Sequence, residues 1–339
     1  MAIKVQTFSP KSYEVGVQQQ TAFGTGLTSG MTKLDVDSIT YPTSGITQIL
    51  EQKAGDGFMV QKTDTFQTNK LAVTEFTVSG TLKESYGDIF LENMISGESS
   101  GVHTLLSNFT PALVGIAGAS DDVPPTVANN LVLTFAIKTP VSNKSIILKD
   151  CVVTSFSISA DTATESGRLK YSATVKTGSL HTFNGASDAT IADLGTDDVF
   201  IGECATSDYR IAHGLADSIV SSFTLNLESD AVFLSANASG DHDVVSRASE
   251  FIFNADMSIK YDATTEPLLT TWQTQTGGAS VAVTSLANVA TPADGTFGWK
   301  IYQGLLTNVA INEGEVAMLD ISVKGLGNGG SGSALVVAF

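Results

Sequence analysis

The sequence predicts a mainly β fold, arranged as two tandem sandwich- or barrel-type modules with one short helix apiece. Three observations predict it. Apolar and polar residues alternate with a period of two along most of the apolar segments, which is the signature of half-buried strands. Hydrophobic residues form 42% of the 339 and charged residues only 16%, with 31 glycines. That charge content lies well below the roughly 25% of soluble domains, yet the chain is too apolar for disorder and too poor in Lys and Glu for a helical protein. Finally, segments of the first half return in the same order in the second.

Residues 1–34 are polar and punctuated by glycine, as in Thr21-Ala22-Phe23-Gly24-Thr25-Gly26, and read as an N-terminal arm. The first module is expected over 35–185. A strand begins at Glu75-Phe76 and runs to Tyr86, followed by a helix over Asp88–Ile95 with Asp88 as N-cap. Phe90, Leu91, Met94 and Ile95 share one face of that helix. Next, Val152, Thr154, Phe156, Ile158 and Ala160 alternate with Cys151, Val153, Ser155, Ser157 and Ser159. One apolar face against a serine face predicts a strand dry on one side and wet on the other. The pattern continues with Leu169, Tyr171, Ala173 and Val175 after the polar turn Asp161–Gly167, a hairpin ending in glycine.

Residues 186–214 carry Asp188, Asp193, Asp197, Asp198, Glu203 and Asp208 against Arg210 alone, and read as an acidic connector. The second module is expected over 215–325. Phe223, Leu225 and Leu227 alternate with Thr224, Asn226 and Glu228, and Phe251, Phe253, Ala255, Met257 and Ile259 alternate with polar neighbours. A short helix starts near Thr265-Glu266-Pro267, where proline in the first turn is tolerated; its stripe is Leu268, Leu269 and Trp272. Residues 326–339 form a glycine-rich tail ending in Ala334-Leu335-Val336-Val337-Ala338-Phe339. A flexible linker before a short strand can dock on a neighbour's sheet edge or close its own sheet.

The two halves match segment by segment. Glu75 and Tyr86 stand 175 positions before Glu250 and Tyr261. Cys151–Ile158 lines up with Gly304–Ile311 at a separation of 153, and Val175-Lys176 with Val323-Lys324 at 148. The separations change where loops tolerate insertion. Two copies fall short of a solenoid and fit two fused copies of one module.

The balance of 35 acidic against 18 basic side chains, a formal charge of −17, argues against a nucleic-acid reader, which needs a basic footprint, and against docking on anionic membranes. No apolar run reaches the ~18 residues of a membrane span, and the first residues lack the apolar core of a secretion signal. The expectation is a soluble chain synthesised in the cytoplasm. Cys151 and Cys204 can make one bridge at most. His103, His181, His213 and His242 have no ligand-type spacing. Asp241-His242-Asp243 could hold an adventitious cation but reads better as a solvated turn. Asp121-Asp122-Val123-Pro124-Pro125 lacks the alternating acids of a calcium loop, and Ala54-Gly55-Asp56-Gly57 lacks the continuation of a phosphate loop. No Gly-x-Ser-x-Gly elbow occurs. No enzyme activity, cofactor or metal is expected.

The residues now resemble a family: the major tail tube proteins of long-tailed bacteriophages, in the form with two tube modules per chain. Val15-Gly16-Val17-Gln18-Gln19-Gln20-Thr21-Ala22-Phe23-Gly24-Thr25 is similar to that family's N-terminal segment. Phe76-Thr77-Val78-Ser79-Gly80-Thr81-Leu82 before a short helix looks like its strand-and-helix unit, and Leu148–Ser159 resembles its hairpin. The resemblance implies a structural virion protein of the phage tail whose modules give sheets to an oligomeric β-barrel around a lumen. Six modules make a ring, so two-module chains would form homotrimers of pseudo-hexameric symmetry. Rings would stack into a tube that contacts other tail proteins and conducts DNA during ejection without binding it. On this reading Ser155, Ser157, Ser159, Asn308, Ala310 and Asn312 face the lumen, while Val152, Phe156, Ile158, Leu305, Val309 and Ile311 face the core. The competing reading is a cell-surface or carbohydrate-binding β-sandwich; a lectin would cluster aromatics, whereas Trp272 and Trp299 stand apart and read as packing residues.

Overall fold

The computed structural model describes residues 13–21, 23–40, 42, 47–50, 65–68, 73–95, 98–99, 101–107, 132–140, 145–179, 182–184, 189–194, 210–213, 216–234, 242, 244–247, 250–275, 281–284, 292, 297–327 and 332–339. The fold is mainly β. The N-terminal half supplies β1 (Glu14–Gln19), β2 (Thr32–Lys33), β3 (Ser38–Ile39), β4 (Thr47–Leu50), β5 (Thr65–Thr68) and β6 (Thr74–Thr81). Helix α1 (Glu84–Met94) follows, then β7 (Glu98–Ser99), β8 (Val102–Leu106), β9 (Leu133–Lys138), β10 (Ser145–Asp161), β11 (Lys170–Thr177) and β12 (Thr182–Asn184). The C-terminal half supplies β13 (Arg210–His213), β14 (Ala216–Glu228), β15 (Ala231–Leu234), β16 (Val244–Arg247) and β17 (Ile252–Lys260). Helix α2 (Pro267–Thr274), β18 (Val281–Thr284), β19 (Gly298–Glu313), β20 (Ala317–Gly325) and β21 (Ser333–Ala338) complete it.

The alternating segments become strands because each has one face to bury. Phe156 and Ile158 enter the core while Ser155, Ser157 and Ser159 stay half-exposed. Two long strands, β10 and β19, each serve two sheets. The end of β10 pairs with β11 and its start with β9 and β12; β19 does the same with β20, β18 and β21. In the C-terminal half the ladder closes on itself, running β14, β17, β20, β19, β18, β13 and back to β14. The circuit surrounds a core of Phe223, Phe253, Ile259, Trp299 and Leu335. The N-terminal half runs the circuit β6, β11, β10, β9, β1 with the short β2 and β3 completing it. Its core is aromatic: Phe90 of α1 lies 5.3 Å from Phe156, 5.6 Å from Tyr171 and 6.2 Å from Phe135 between ring centroids.

The registers of the two halves coincide. β10 meets β11 with Val153 opposite Val175, slips by one, and resumes with Ser155 opposite Thr174. β19 meets β20 with Leu306 opposite Val323, slips, and resumes with Asn308 opposite Ser322. These are the positions that the separations of 153 and 148 pair in the sequence. A second irregularity repeats in the same frame: Leu148 and Cys151 face Phe135 and Leu133, as Ile301 and Gly304 face Val283 and Val281. Each helix C-terminus also tethers its bulge. The Asn93 Oδ1 of α1 accepts the Val153 amide at 2.8 Å, and the Gln275 Nε2 after α2 donates to the Leu306 carbonyl at 2.5 Å. The hairpins β4–β5 and β15–β16 occupy the same place in their circuits, Thr47 opposite Thr68 and Ala231 opposite Arg247.

Several sequence expectations change. Val175 faces Phe76 and Val323 faces Ala255, so Phe76 corresponds to Ala255, four residues past Phe251. Four is even, which leaves the faces of the strand unchanged. Helix α1 begins at Glu84, and Asp88 lies inside it, its Oδ1 2.8 Å from His103 Nε2, instead of capping it. The segment 1–34 contributes β1, whose Val15 and Val17 are buried, and β2. His242 is half-buried against the Phe233 ring at 6.0 Å, and its amide donates to the Gly178 carbonyl, so it is a packing residue more than a solvated turn. The tail strand β21 pairs within its own chain, with β19 and β8. Trp299 is a core residue and Trp272 packs partly buried on the core. The stretches Ala54–Gly57 and Asp121–Pro125, His181, and Cys204 with the acidic run 195–209 lie outside the described residues.

Candidate functional surface

One surface stands out by extent. The strands β3, β6, β11, β10, β14, β17, β20 and β19 pair in that order into a single antiparallel sheet spanning both halves. The link between halves is β10 to β14, from Ser155 opposite Glu228 to Asp161 opposite Ser222. Because paired residues share a face, the register gives whole rows. One row reads Ser79, Ser172, Ser157, Asn226, Asn254 and Lys324. The next reads Lys170, Ser159, Thr224, Asp256, Ser322 and Asn308. All six residues predicted for the wet face, Ser155, Ser157, Ser159, Asn308, Ala310 and Asn312, lie on this face, the serines half-exposed and the other three exposed.

Three residues predicted for the core face do not follow it. The slip after Val153 inserts one extra residue, Thr154, so the burial phase inverts. Val153 therefore joins the main core, and Val152 packs in a separate cluster with Val132, Ala231, Phe233 and Val245. The matching slip in β19 buries Leu306 and leaves Leu305 half-buried. Ile311 keeps the right phase but is 44% exposed. Among the described residues the end of β19 pairs with β20 alone. Its counterpart Ile158 is fully buried because β14 covers that edge.

The face is dominated by hydroxyls and amides; Lys170 and Lys176 sit beside acids, while Lys324 at the end of the first row is exposed. Lys170 Nζ is 3.2 Å from Asp37. Lys176 Nζ lies 2.7 Å from Asp230 and 3.5 Å from Glu75. Its hydrogen bond to Asp230 raises the ammonium above the usual lysine range, and the same bond holds the Asp230 carboxyl below the usual aspartate range. The pair bridges the halves, β11 to the end of β14. Asp320 accepts from Ser258 Oγ at 2.8 Å and Asn312 Nδ2 at 3.1 Å. Two grooves follow the β10–β14 junction. One, of about 440 Å³, is lined by Thr154, Ser155, Glu228, Asp230 and Glu250. The other, of about 320 Å³, is lined by Ser159, Asp161, Arg168, Lys170 and Thr224. Arg168 is itself 3.7 Å from Asp35.

Sequence reasoning missed the residues that hold this surface in place. Arg247 of β16 is half-buried and donates to the carbonyls of Val153, Ser229 and Asn93 at 2.7–2.9 Å, tying the C-terminal half to the bulge and to the end of α1. No local pattern marks an arginine whose partners lie 18 and more residues away in the chain. Among the described residues, no three His, Cys, Asp or Glu side chains gather as a metal site, and no helix is long and apolar enough to cross a membrane. Burial pushes the Cys151 thiol well above its ordinary range, which suits a packing residue. No protein-family model matches the chain, and no curated protein matches it.

Proposed function

We propose that the chain is the structural subunit of a phage tail tube, assembling head to tail into rings whose polar sheet lines a channel for DNA. The observation that carries this reading is the junction between its halves. Two halves of equal register are joined edge to edge through β10 and β14, while the strand equivalent to β10 in the second half, β19, has its matching edge unpaired among the described residues. Repeating the same junction with a second copy is a heterologous contact, and such contacts close into rings when the rotation allows. Three chains would supply six repeats. Exposed Ile311 and the 64%-exposed Val316 at the tip beyond β19 support a covered edge in the working state, since long bare edges invite aggregation.

The polar face suits a conduit. DNA carries about one negative charge per ~1.7 Å of axis and binds wherever unpaired cations can displace its counterions. Here the face is hydroxyl-rich, Lys170 and Lys176 lie against carboxylates, and the exposed Lys324 is set in a chain of net charge −17, so the lining offers DNA little to hold. Negative-stain electron microscopy of the purified protein tests the reading. Hollow tubes or threefold rings are expected; a protein that stays monomeric at high concentration and binds glycans would overturn it.

A further inference from the structure

The halves are joined a second time by a device with no counterpart among the described residues of the second half. Strand β8 of the N-terminal half pairs with β21 at the far end of the chain, His103 opposite Val337 and Thr104 opposite Val336. Ser107 donates from both its amide and its hydroxyl to the Gly332 carbonyl, at 2.9 and 2.8 Å, and the Phe339 amide donates to Gly101. Buried Phe339 then inserts its ring against α1. A Cβ on Gly87 would stand 2.6 Å from the ring's Cζ, so the seat exists because residue 87 is glycine, a residue unfavourable inside a helix. The ring also meets Phe297 at 5.3 Å. Fully buried His103 anchors β8 to the same helix through Asp88.

Among the described residues the C-terminal half has no strands equivalent to β7 and β8. Residues 95–132 separate α1 from β9 and contain β7 and β8, whereas only residues 275–280 separate α2 from β18. We infer that β8, β21 and the seated Phe339 form a clasp that makes the joint within a chain permanent, leaving the joint between copies as the one that opens. The second part rests on the ring reading; the clasp itself does not. Rings would then have three strong joints alternating with three weak ones, and the two-half chain would be the unit that enters and leaves.

A protease site inserted within 195–209 tests this. After cleavage, native mass spectrometry should find both halves still together at nanomolar concentration. Phe339→Ala should raise their dissociation constant at least tenfold. Gly87→Ala, which evicts the ring, should have the same effect, and the double variant should be no worse than either. Amide exchange of 102–106 and 333–338 in the uncut variants should accelerate together while β6 and β11 stay protected, which separates loss of the clasp from failure to fold. Halves that part readily in the wild type, or clasp variants that hold equally well, would overturn the clasp. In assembled protein, denaturant should release whole cut chains; release of single halves would overturn the unequal joints. A protein that never forms rings would overturn the ring reading and the unequal joints, with the half-chain dissociation constant still deciding the clasp.

Discussion

At the scale of single residues, buried polar groups do most of the holding. Asp150 sits buried with φ of 54°, a left-handed backbone that costs a non-glycine residue about 1 kcal/mol. Its carboxylate offsets this by accepting from Gln20 Nε2 at 2.9 Å, the Gly24 amide at 2.7 Å and Ser179 Oγ at 2.9 Å. Arg247 serves three carbonyls from both halves, and burial pulls its guanidinium down to about 10, so it stays charged at neutral pH. Arg247→Met should therefore cost about 3 kcal/mol or more, since each buried carbonyl left unpaired costs about 1–3 kcal/mol. Urea unfolding should show a lower midpoint with an unchanged slope. The pair Lys176–Asp230 sets a pH dependence. The folded Asp230 pKa is depressed, so its contribution is complete above the ordinary value of 3.8 and is lost as pH falls through the lower folded value. Stability of the wild type should drop more steeply than that of Asp230→Asn below about pH 4, read from urea midpoints across pH 2–6. Identical acid profiles would remove the pair from the account.

At the scale of elements, strand existence was legible and strand phase was not. The alternation along 151–160 shows a strand with two unlike faces, because a period of two survives any tertiary context. The bulge at Thr154 was invisible, since a threonine within an alternating run carries no mark of the extra residue, and so Val152 and Leu305 were placed one face off. Helix α1 starts four residues before the expected one because Glu84–Tyr86 reads as the end of the preceding strand, which stops at Thr81, and its glycine makes sense only with Phe339 beside it. The solvent exposure of Ser155, Ser157 and Ser159 was legible because a serine face needs only local alternation. The edge argument gives a prediction here. Ile158→Asp buries a charge under β14 and should prevent folding, whereas Ile311→Asp at the open edge should change monomer stability by less than about 0.5 kcal/mol. The second variant should fold with a normal circular dichroism spectrum yet form no rings in negative stain; rings of undiminished yield would disconnect that edge from assembly.

At the scale of the whole molecule, the proposed ring and the matching registers of the two halves together predict where copies should meet. Ser159 faces Thr224 across the internal junction, and the repeat maps these onto Asn312 and Thr40. Asn312→Cys with Thr40→Cys should give disulfide-linked oligomers on non-reducing gels, while Asn312→Cys with Ser38→Cys, two residues out of register, should give far fewer. Equal yields would break the inferred register. The lining makes a further claim. Ser155→Lys, Ser157→Lys and Asn308→Lys together add three cations to the polar face. Their tubes should retain DNA at 50 mM salt and release it by 200 mM, whereas wild-type tubes should not retain it; wild-type retention would defeat the conduit argument. Finally, β10 has a consequence in time. Its edge from Ser155 to Asp161 waits for β14, whose pairing residues end at Glu228. Ribosomes add about 5–20 residues per second, so a nascent chain would carry that strand uncovered for roughly 3–13 s. During those seconds the neighbour most able to fill the vacancy is another nascent copy on the same messenger. The order in which the polypeptide emerges thus makes synthesis, more than the finished particle, the moment at which this molecule is most exposed to pairing with the wrong partner.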